Sequence, residues 1–430
     1  MKKVCQELAE IARPKPRWNP TCQNGAMLKW ISLTVLLAAA MDARTLTPLW
    51  VSVGPTGQVV ARVVVDRPNE CPSIQFDNAK PRPMMPRLPV PANLKPACEV
   101  VIPPSAKTAK ANGQNLVLPV KNPTKITVIG DTGCRVKGDR VQACNDSSAW
   151  PFAQIASMAA KSQPQLVMHV GDYLYREESC PVNERGCKGS PWGDNWETWN
   201  ADFFKPAKEL LKAAPWLMAR GNHESCKRAW RGWFYYLDPR PMSATCNEYS
   251  APYLAKLGNF QVLVLDSAEV GGGKPDPQQV AIYRKQLQPF ANTPAWMLLH
   301  HPFWGLKRDA PGPTAVTETL HEAYTQAGMK KIGFILSGHT HLFELFGFVN
   351  GWPPQLVAGD SGTKLGGTVN HYDDGVRAPG SNVKSGDAKS EFGFVELNGS
   401  GDQLQLNLKN KVGKVLVNCR LNGNKVTCPN

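Results

Sequence analysis

Six apolar segments, each ending in polar residues, constrain the fold of residues 126–341 more than any other feature of the sequence. They read "ITVIGDTG", "LVMHVGDYLY", "PWLMARGNHE", "FQVLVLDS", "AWMLLHHPFW" and "IGFILSGHTH", with helix-like stretches between them. Continuous apolar strands that alternate with helices predict a sheet covered on both faces. Ligands of such sheets bind beyond the carboxyl ends of the strands. The sequence therefore predicts an α/β domain with a functional site at this edge.

The strand ends supply oxygen and nitrogen donors to that edge. The candidate residues are Asp131, Asp172, Tyr175, Asn222, His223, His300, His339 and His341. Carboxylate, amide and imidazole groups together suit iron, zinc or manganese, and the set is larger than one ion needs. Two ions roughly 3.5 to 4 Å apart that share one carboxylate would use this set and generate a hydroxide nucleophile near neutral pH. Such a centre is suited to the hydrolysis of phosphate esters.

The stretch "LVMHVGDYLYRE" taken alone supports two interpretations. Asp172 could cap a helix after the turn at Gly171 while Tyr175 packs in the core, or both residues could bind a metal ion. The complementary donors at the other strand ends favour the metal interpretation for Asp172. For Tyr175 a packed phenol stays open as the alternative.

Five short motifs in order give the chain a resemblance to a known family. "GDTG", "GDYLY", "GNHE", "MLLH" and "GHTH" resemble the motifs of the calcineurin-like metallophosphoesterases. The tyrosine three residues after the second aspartate is similar to the pattern of the purple acid phosphatase branch. The resemblance implies a four-layer α/β/β/α sandwich and a binuclear metal centre.

The resemblance also implies a role for each motif residue. A first site, for ferric iron, would be formed by Asp131, Asp172, Tyr175 and His341. A second site, for a divalent iron, zinc or manganese ion, would share Asp172 and be completed by Asn222, His300 and His339. His223 would stabilise the transition state or protonate the leaving group, work that contributes roughly 10²- to 10⁴-fold. A tyrosinate bound to ferric iron would colour the protein.

The loop after His300 departs from the family pattern. Purple acid phosphatases place further histidines several residues beyond this position, whereas this chain has His301 directly and then Lys307 and Arg308. We therefore expect His301 and Arg308, or Lys307 in its place, to bind the phosphate group. Met297 stands where the family motif has valine, which is a tolerable apolar exchange.

Two arginines beside the ligand strand ends, Arg135 and Arg176, have two open interpretations. Each could reach a phosphate group, or each could pair with a nearby carboxylate. Arg135 is taken as a candidate for substrate binding.

Segments outside the motif region predict a domain order. We expect residues 1–26 to be either a leader or an artefact of a start codon assigned too early. Residues 27–43, "MLKWISLTVLLAAAMDA", have the features of a signal peptide, and an uncleaved signal anchor is the alternative. Short strands with Gly and Pro turns predict a small β domain over residues 44–121. Residues 122–430 would form the catalytic domain. No membrane span is expected after signal cleavage.

The cysteines predict an oxidising compartment. Ten of the twelve lie beyond residue 26 and fall into five neighbouring pairs, Cys71 with Cys98, Cys134 with Cys144, Cys180 with Cys187, Cys226 with Cys246 and Cys419 with Cys428. A cytosolic metal cluster is the competing interpretation, but no C-x-x-C spacing occurs. We expect disulfides and a periplasmic or secreted protein.

Charge and motifs together define the predicted function. The formal charge of +14 favours anionic ligands, while the lack of long Lys or Arg runs gives no indication of nucleic-acid binding. We predict an exported enzyme that hydrolyses small phosphomonoesters through a metal-activated hydroxide. A phosphodiesterase or nucleotidase with the same centre, or a non-catalytic binder of phosphorylated ligands, is the alternative. The oligomeric state is left open.

Overall fold

The computed structural model describes residues 47–306, 313–349, 351–367, 377–378 and 381–429. These residues belong to one compact unit. The predicted leader and signal peptide lie outside them, as do Lys307 and Arg308. Within the described ranges, no helix combines the length and apolarity needed to cross a membrane.

Two large sheets form the centre of the molecule. Sheet A has eleven strands in the spatial order Lys425–Thr427, Val415–Asn422, Gln403–Asn410, Gly393–Ser400, Lys125–Ile129, Leu166–His169, Trp216–Met218, Trp50–Val53, Val59–Val64, Ala97–Ile102 and Met85–Pro86. Sheet B has eight, in the order Tyr253–Leu257, Phe260–Val264, Ala295–Leu298, Ile332–Ser337, Gln355–Ala358, Phe343–Phe348, Ser381–Lys389 and Arg377–Ala378. The strands that precede the sequence motifs are parallel to one another within each sheet.

The inner faces of the two sheets share one apolar core. Val128 and Met168 of sheet A belong to the same buried cluster as Leu298 and Leu336 of sheet B. Alternate residues of the same strands face outward, so these strands are apolar on both faces, as expected for a sheet covered on each side.

Helices cover the outer faces. Phe152–Lys161 and Lys205–Ala213 pack on sheet A, and Pro277–Leu287 and Glu318–Gln326 pack on sheet B. Capping fixes where one of them begins, because the Asp276 side chain accepts hydrogen bonds from two backbone amides of the first turn and Pro277 follows it. The order of layers is helix, sheet, sheet, helix. The predicted α/β class and four-layer sandwich are confirmed.

Shorter elements complete the chain. Short helical segments are Trp196–Trp199 and Trp230–Gly232, the π-helical Asn200–Phe204 and Trp233–Leu237, and the 3-10 turns Pro55–Gly57, Pro68–Glu70, Arg185–Cys187, Asn222–Glu224 and Gln288–Phe290. Two small hairpins pair Val136–Lys137 with Arg140–Val141 and Trp304–Leu306 with Pro313–Ala315.

The N-terminal segment contributes to two sheets. Four short strands, Arg82–Pro83, Ser73–Phe76, Ala109–Ala111 and Gln114–Asn115, form a sheet of their own over a separate apolar core. By contrast, Trp50–Val53 runs parallel to Trp216–Met218 and so extends sheet A. Hydrogen bonding is therefore continuous across the boundary predicted between residues 121 and 122.

All five predicted cysteine pairs form disulfides. Two of them, Cys134–Cys144 and Cys180–Cys187, pack against each other and Val136 in a small cluster beside the loops that follow Lys125–Ile129 and Leu166–His169. A disulfide restricts the unfolded chain and so stabilises the loop that it closes. These loops carry the first two motifs.

Candidate metal centre

The predicted donor residues meet at one edge of the two packed sheets. In sheet A, Asp131, Asp172 and Asn222 each follow a parallel strand by two to four residues, and in sheet B the same is true of His300 and His339. Parallel strands end at the same edge, so residues distant in the sequence become neighbours. The site exists only where the carboxyl edges of both sheets come together.

A first set of donors surrounds the phenol of Tyr175 and is called the tyrosine group. Tyr175 Oη lies 2.8 Å from Asp131 Oδ1, 2.8 Å from Asp172 Oδ2 and 2.8 Å from His341 Nε2. His341 Nδ1 is in turn 3.0 Å from the backbone oxygen of Lys364, which orients the imidazole. Four donor atoms of different chemistry thus converge on one point.

A second set surrounds the amide oxygen of Asn222 and is called the asparagine group. Asn222 Oδ1 lies 3.0 Å from His300 Nε2 and 3.0 Å from His339 Nδ1. His300 Nε2 is also 3.1 Å from Asp172 Oδ2. Ligand atoms of Asp172, His300 and His339 all lie within 4.8 Å of one another, a spacing that one metal ion can span. Asp172 Oδ2 therefore belongs to both groups.

Burial and proton affinity show that this donor set fits metal ions. Burial, together with the nearby Asp172 carboxylate, raises the pKa of Asp131 to about 8. Burial lowers the pKa of His339 and His341 to about 3. The protein alone thus favours a neutral Asp131 and neutral His339 and His341, the protonation state in which imidazole is a metal ligand. His300 differs, because although burial opposes its charge, the Asp172 carboxylate raises the pKa of His300 to about 9. Cations between the two groups would stabilise the carboxylates in their charged form.

Backbone conformation marks the same residues. Asp131, Asp172, His339 and His341 have φ values of 52°, 61°, 76° and 56°, in the left-handed region that residues other than glycine rarely adopt. Each such conformation costs on the order of 1–3 kcal/mol and persists only where surrounding contacts impose it. One such contact is the hydrogen bond from His339 N to Asp131 Oδ2, at 2.9 Å.

Two buried carboxylates that sequence reasoning missed hold the ligand loops in place. Glu224 accepts hydrogen bonds from the backbone amides of Asp172, Tyr173, Leu174 and Gly221. Asp202 accepts from the amides of Cys134, Tyr175 and Arg176. Glu224 stands inside the "GNHE" motif and could have been noticed there, whereas nothing in the local sequence marks Asp202.

His223 lies between the tyrosine group and an acidic residue that sequence reasoning also missed. Its ring packs against Tyr175 at a tilt of 36° with centroids 3.7 Å apart, and its Nε2 is 3.9 Å from Asp172 Oδ2. Its Nδ1 lies 2.6 Å from Glu177 Oε1. Although burial opposes the charge of Glu177, the contact with His223, the hydrogen bond from Lys137 and the charge of Arg228 lower its pKa to about 2. A charged Glu177 holds the imidazole in one orientation with Nε2 towards Asp172.

The predicted substrate-binding residues have different surroundings. The Arg135 guanidinium lies 5.9 Å from the centre of the Tyr175 ring, so it is close to the tyrosine group. His301 is buried with its ring 4.3 Å from that of His339. Arg308 lies outside the described residues. Arg176, the other arginine considered, pairs with Asp202, which supports the structural interpretation of that residue.

Comparison with known proteins places this centre in a family. The family model for calcineurin-like phosphoesterases matches residues 124–343, more than half of the chain. The chain belongs to the calcineurin-like phosphoesterase family. It is accordingly a metal-dependent phosphoric ester hydrolase, as predicted, and the family implies a binuclear metal centre of the kind that the two donor groups can form.

Solved structures with the same fold extend beyond the family match. A purple acid phosphatase from yellow lupin (Lupinus luteus) seeds is 14% identical, with a TM-score of 0.54 over 85% of this chain and 72% of the lupin chain. The structure of PhoD is 12% identical, with a TM-score of 0.56 over 89% of this chain and 91% of its own. At these identities the likeness concerns the fold. No curated protein sequence matches the chain significantly.

Proposed function

We propose that the protein is an exported phosphomonoesterase with a binuclear centre of the purple acid phosphatase type. The observation that carries this proposal is the position of Asp172 Oδ2, which lies 2.8 Å from Tyr175 Oη and 3.1 Å from His300 Nε2. One carboxylate oxygen shared between a phenol-containing group and an imidazole-containing group supports a pair of unlike ions with Asp172 as the bridge.

The tyrosine group would hold ferric iron, and the asparagine group a divalent iron, zinc or manganese ion. Phenolate and carboxylate are hard anionic donors that suit ferric iron, whereas two imidazoles and an amide oxygen suit a divalent ion. Two bound ions would supply Lewis acidity to the phosphate group and lower the pKa of a bound water molecule.

The chain's own residues would bind the ester and move protons. His223, oriented by Glu177, places its Nε2 near the shared carboxylate, where it can stabilise the transition state or donate a proton to the leaving oxygen. Arg135, beside the Tyr175 ring, can bind a phosphate oxygen. His301 and Arg308 stay proposed substrate residues.

Export is supported by the cysteines. Ten cysteines form five disulfides, all between near neighbours in the sequence, and disulfides persist in oxidising compartments. Together with the predicted signal peptide at residues 27–43, this supports a periplasmic or secreted enzyme.

A comparison of mono- and diester hydrolysis tests the proposal. The protein purified from an oxidising compartment and loaded with iron and zinc is assayed on p-nitrophenyl phosphate and on bis-p-nitrophenyl phosphate. We expect kcat/KM to be at least about tenfold higher for the monoester, because a dianionic phosphate can contact both ions. Faster hydrolysis of the diester would replace the proposal with a phosphodiesterase. No hydrolysis of either ester would contradict phosphoesterase activity.

A further inference from the structure

Glu177, beyond its contact with His223, collects two cationic side chains. Lys137 Nζ lies 2.6 Å from Glu177 Oε2, and Arg228 Nη1 lies 3.6 Å from Oε1, the oxygen that also faces His223. Lys137 and Arg228, called here the basic rim, are therefore joined to His223 through a single carboxylate. The basic rim thus lies beside the Nδ1 edge of the His223 ring, while Nε2 of the same ring faces Asp172.

The members of the basic rim come from separate loops. Lys137 belongs to the hairpin after the first motif, Glu177 follows the second motif, and Arg228 follows the third. Their side chains keep access to solvent, with 36% of Lys137 and 30% of Arg228 exposed. Three loops that carry metal ligands thus also bring charged groups to one accessible place.

The donors of the basic rim exceed the acceptors that the protein provides. Arg228 Nη1 lies 3.6 Å from Glu177 Oε1, the distance of an ion pair, and neither atom has a hydrogen-bond partner among the described residues. Lys137 has three donor hydrogens and one carboxylate partner. Glu178, the nearest further acid in the sequence, is exposed and accepts from the backbone amide of Gly138. An added anion would bind the solvent-accessible donors of Lys137 and Arg228, and a hydrogen bond to a charged group contributes more than a neutral one.

We propose that the basic rim binds a second anionic group, a phosphate or a carboxylate, on the leaving-group part of the ester. This inference rests on the proposed function, since the rim adjoins the side of the centre that His223 occupies. The preferred substrates would then be phosphomonoesters whose alcohol carries its own negative charge. Neutral alcohols of the same size would lack a partner for Arg228 and Lys137.

A matched set of aryl phosphates tests this proposal. We compare kcat/KM for 3-carboxyphenyl phosphate with that for 3-carbamoylphenyl phosphate, which has the same shape without the charge, and for 1,3-phenylene bisphosphate. In the metal-loaded wild type we expect the charged esters to react about tenfold better, mainly through a lower KM, because one charged hydrogen bond at a partly exposed site contributes this much. The larger of the two gains identifies carboxylate or phosphate as the preferred group.

Substitutions of Arg228 and Lys137 test whether these side chains cause the preference for charged esters. Arg228→Gln and Lys137→Gln are expected to reduce the ratio of charged to neutral ester at least threefold each, while Arg231→Gln, an exposed arginine three residues further on, leaves it unchanged. Direct binding adds a readout independent of turnover, since calorimetry with the non-hydrolysable 3-carboxybenzylphosphonate should show the same loss of affinity.

Two results would overturn the inference. Equal kcat/KM for the charged and neutral esters in the wild type, or a ratio that persists in folded Arg228→Gln and Lys137→Gln, would show that the basic rim binds no second anion. A loaded wild type that hydrolyses none of the esters would instead overturn the proposed function, and the inference with it.

Discussion

The two donor groups of the candidate metal centre share an oxygen atom yet differ in charge. The tyrosine group combines the carboxylates of Asp131 and Asp172 with the phenol of Tyr175, whereas the asparagine group adds only neutral donors to the shared carboxylate. A richly anionic site favours a trivalent ion, and a neutral nitrogen-rich site favours a divalent one. The difference teaches that one edge of a sandwich can offer two unlike sets of donor atoms that share one carboxylate oxygen.

The two groups also take different shares of their donors from sheet A and sheet B. In the tyrosine group, His341 is the single donor from sheet B, while in the asparagine group His300 and His339 both come from sheet B. Asp172 links the groups from sheet A. Since both groups need both sheets, the centre depends on the shared apolar core below it.

Removing the shared carboxylate should have the largest effect. Asp172→Asn keeps the shape of the side chain but weakens both groups at once, so we expect kcat/KM to fall about 10³-fold or more, equivalent to about 4 kcal/mol. The measurement is hydrolysis of p-nitrophenyl phosphate together with metal content per chain. Retention of two ions and of activity in a variant with an unchanged melting temperature would show that Asp172 is not shared.

A pair of variants should separate the two groups. His339→Asn affects only the asparagine group, and asparagine tolerates the left-handed backbone at this position. We expect about a 100-fold loss of activity and loss of the divalent ion, with iron retained. Tyr175→Phe should do the opposite, removing the tyrosinate absorption band and weakening iron binding while the divalent ion stays.

Metal content and visible spectra of the same two preparations decide the outcome. Loss of both ions in each variant would show that the two groups act as one site. A visible band that survives Tyr175→Phe would remove the phenol from the iron site and return Tyr175 to the role of a packed residue.

Much of this centre was predictable because its residues lie in short motifs at strand ends. An apolar strand buried on both faces leaves a local pattern, and the donor follows within four residues, so Asp131, Asn222 and His339 could be read from the sequence. The five disulfides were predictable for a similar reason, since each joins near neighbours.

Other features depend on contacts between distant segments and leave no local pattern. Asp202 binds the amides of two ligand loops from a position within a π-helical turn. The role of Glu177 becomes visible only in the folded structure, where Lys137 and Arg228 lie close to it. The insertion of Trp50–Val53 into sheet A is equally hidden, because its neighbour Trp216–Met218 lies far along the chain.

A variant of Glu177 tests whether His223, which lies beside the tyrosine group, donates a proton to the leaving group. Glu177→Gln removes the charge that holds His223, so we expect kcat to fall about tenfold, within the range of general acid catalysis. The loss should be greater for phenyl phosphate than for p-nitrophenyl phosphate, because phenol is the poorer leaving group and needs the proton more. Equal losses on the two esters would indicate a structural role, and Glu178→Gln, at an exposed neighbour, should leave both rates unchanged.

The smallest expected effect is a change in stability at Asp360, a buried carboxyl that belongs to neither donor group. Asp360 is buried, no other residue in the described part of the chain donates a hydrogen bond to its carboxyl, and burial raises its pKa to about 7. Because the unfolded pKa is about 3.9, this carboxyl favours the folded state below pH 4, and its ionisation progressively lowers stability from about pH 4 to about pH 7. Asp360→Asn should therefore raise the free energy of unfolding at pH 8 by about 2 kcal/mol and should flatten this pH dependence.

Chemical denaturation at pH 4 and pH 8 measures both effects. An equal change at the two pH values would show that the carboxyl of Asp360 does not titrate with a raised pKa. A loss of stability at pH 8 would show that its charge has a partner.

The metal content of the folded wild-type chain tests the central claim most directly. After loading with iron and zinc and removal of loosely bound ions, elemental analysis should find two ions per chain, one of them iron, because the tyrosine and asparagine groups each hold one and share Asp172. A folded protein that retains one ion, or none, would contradict the account.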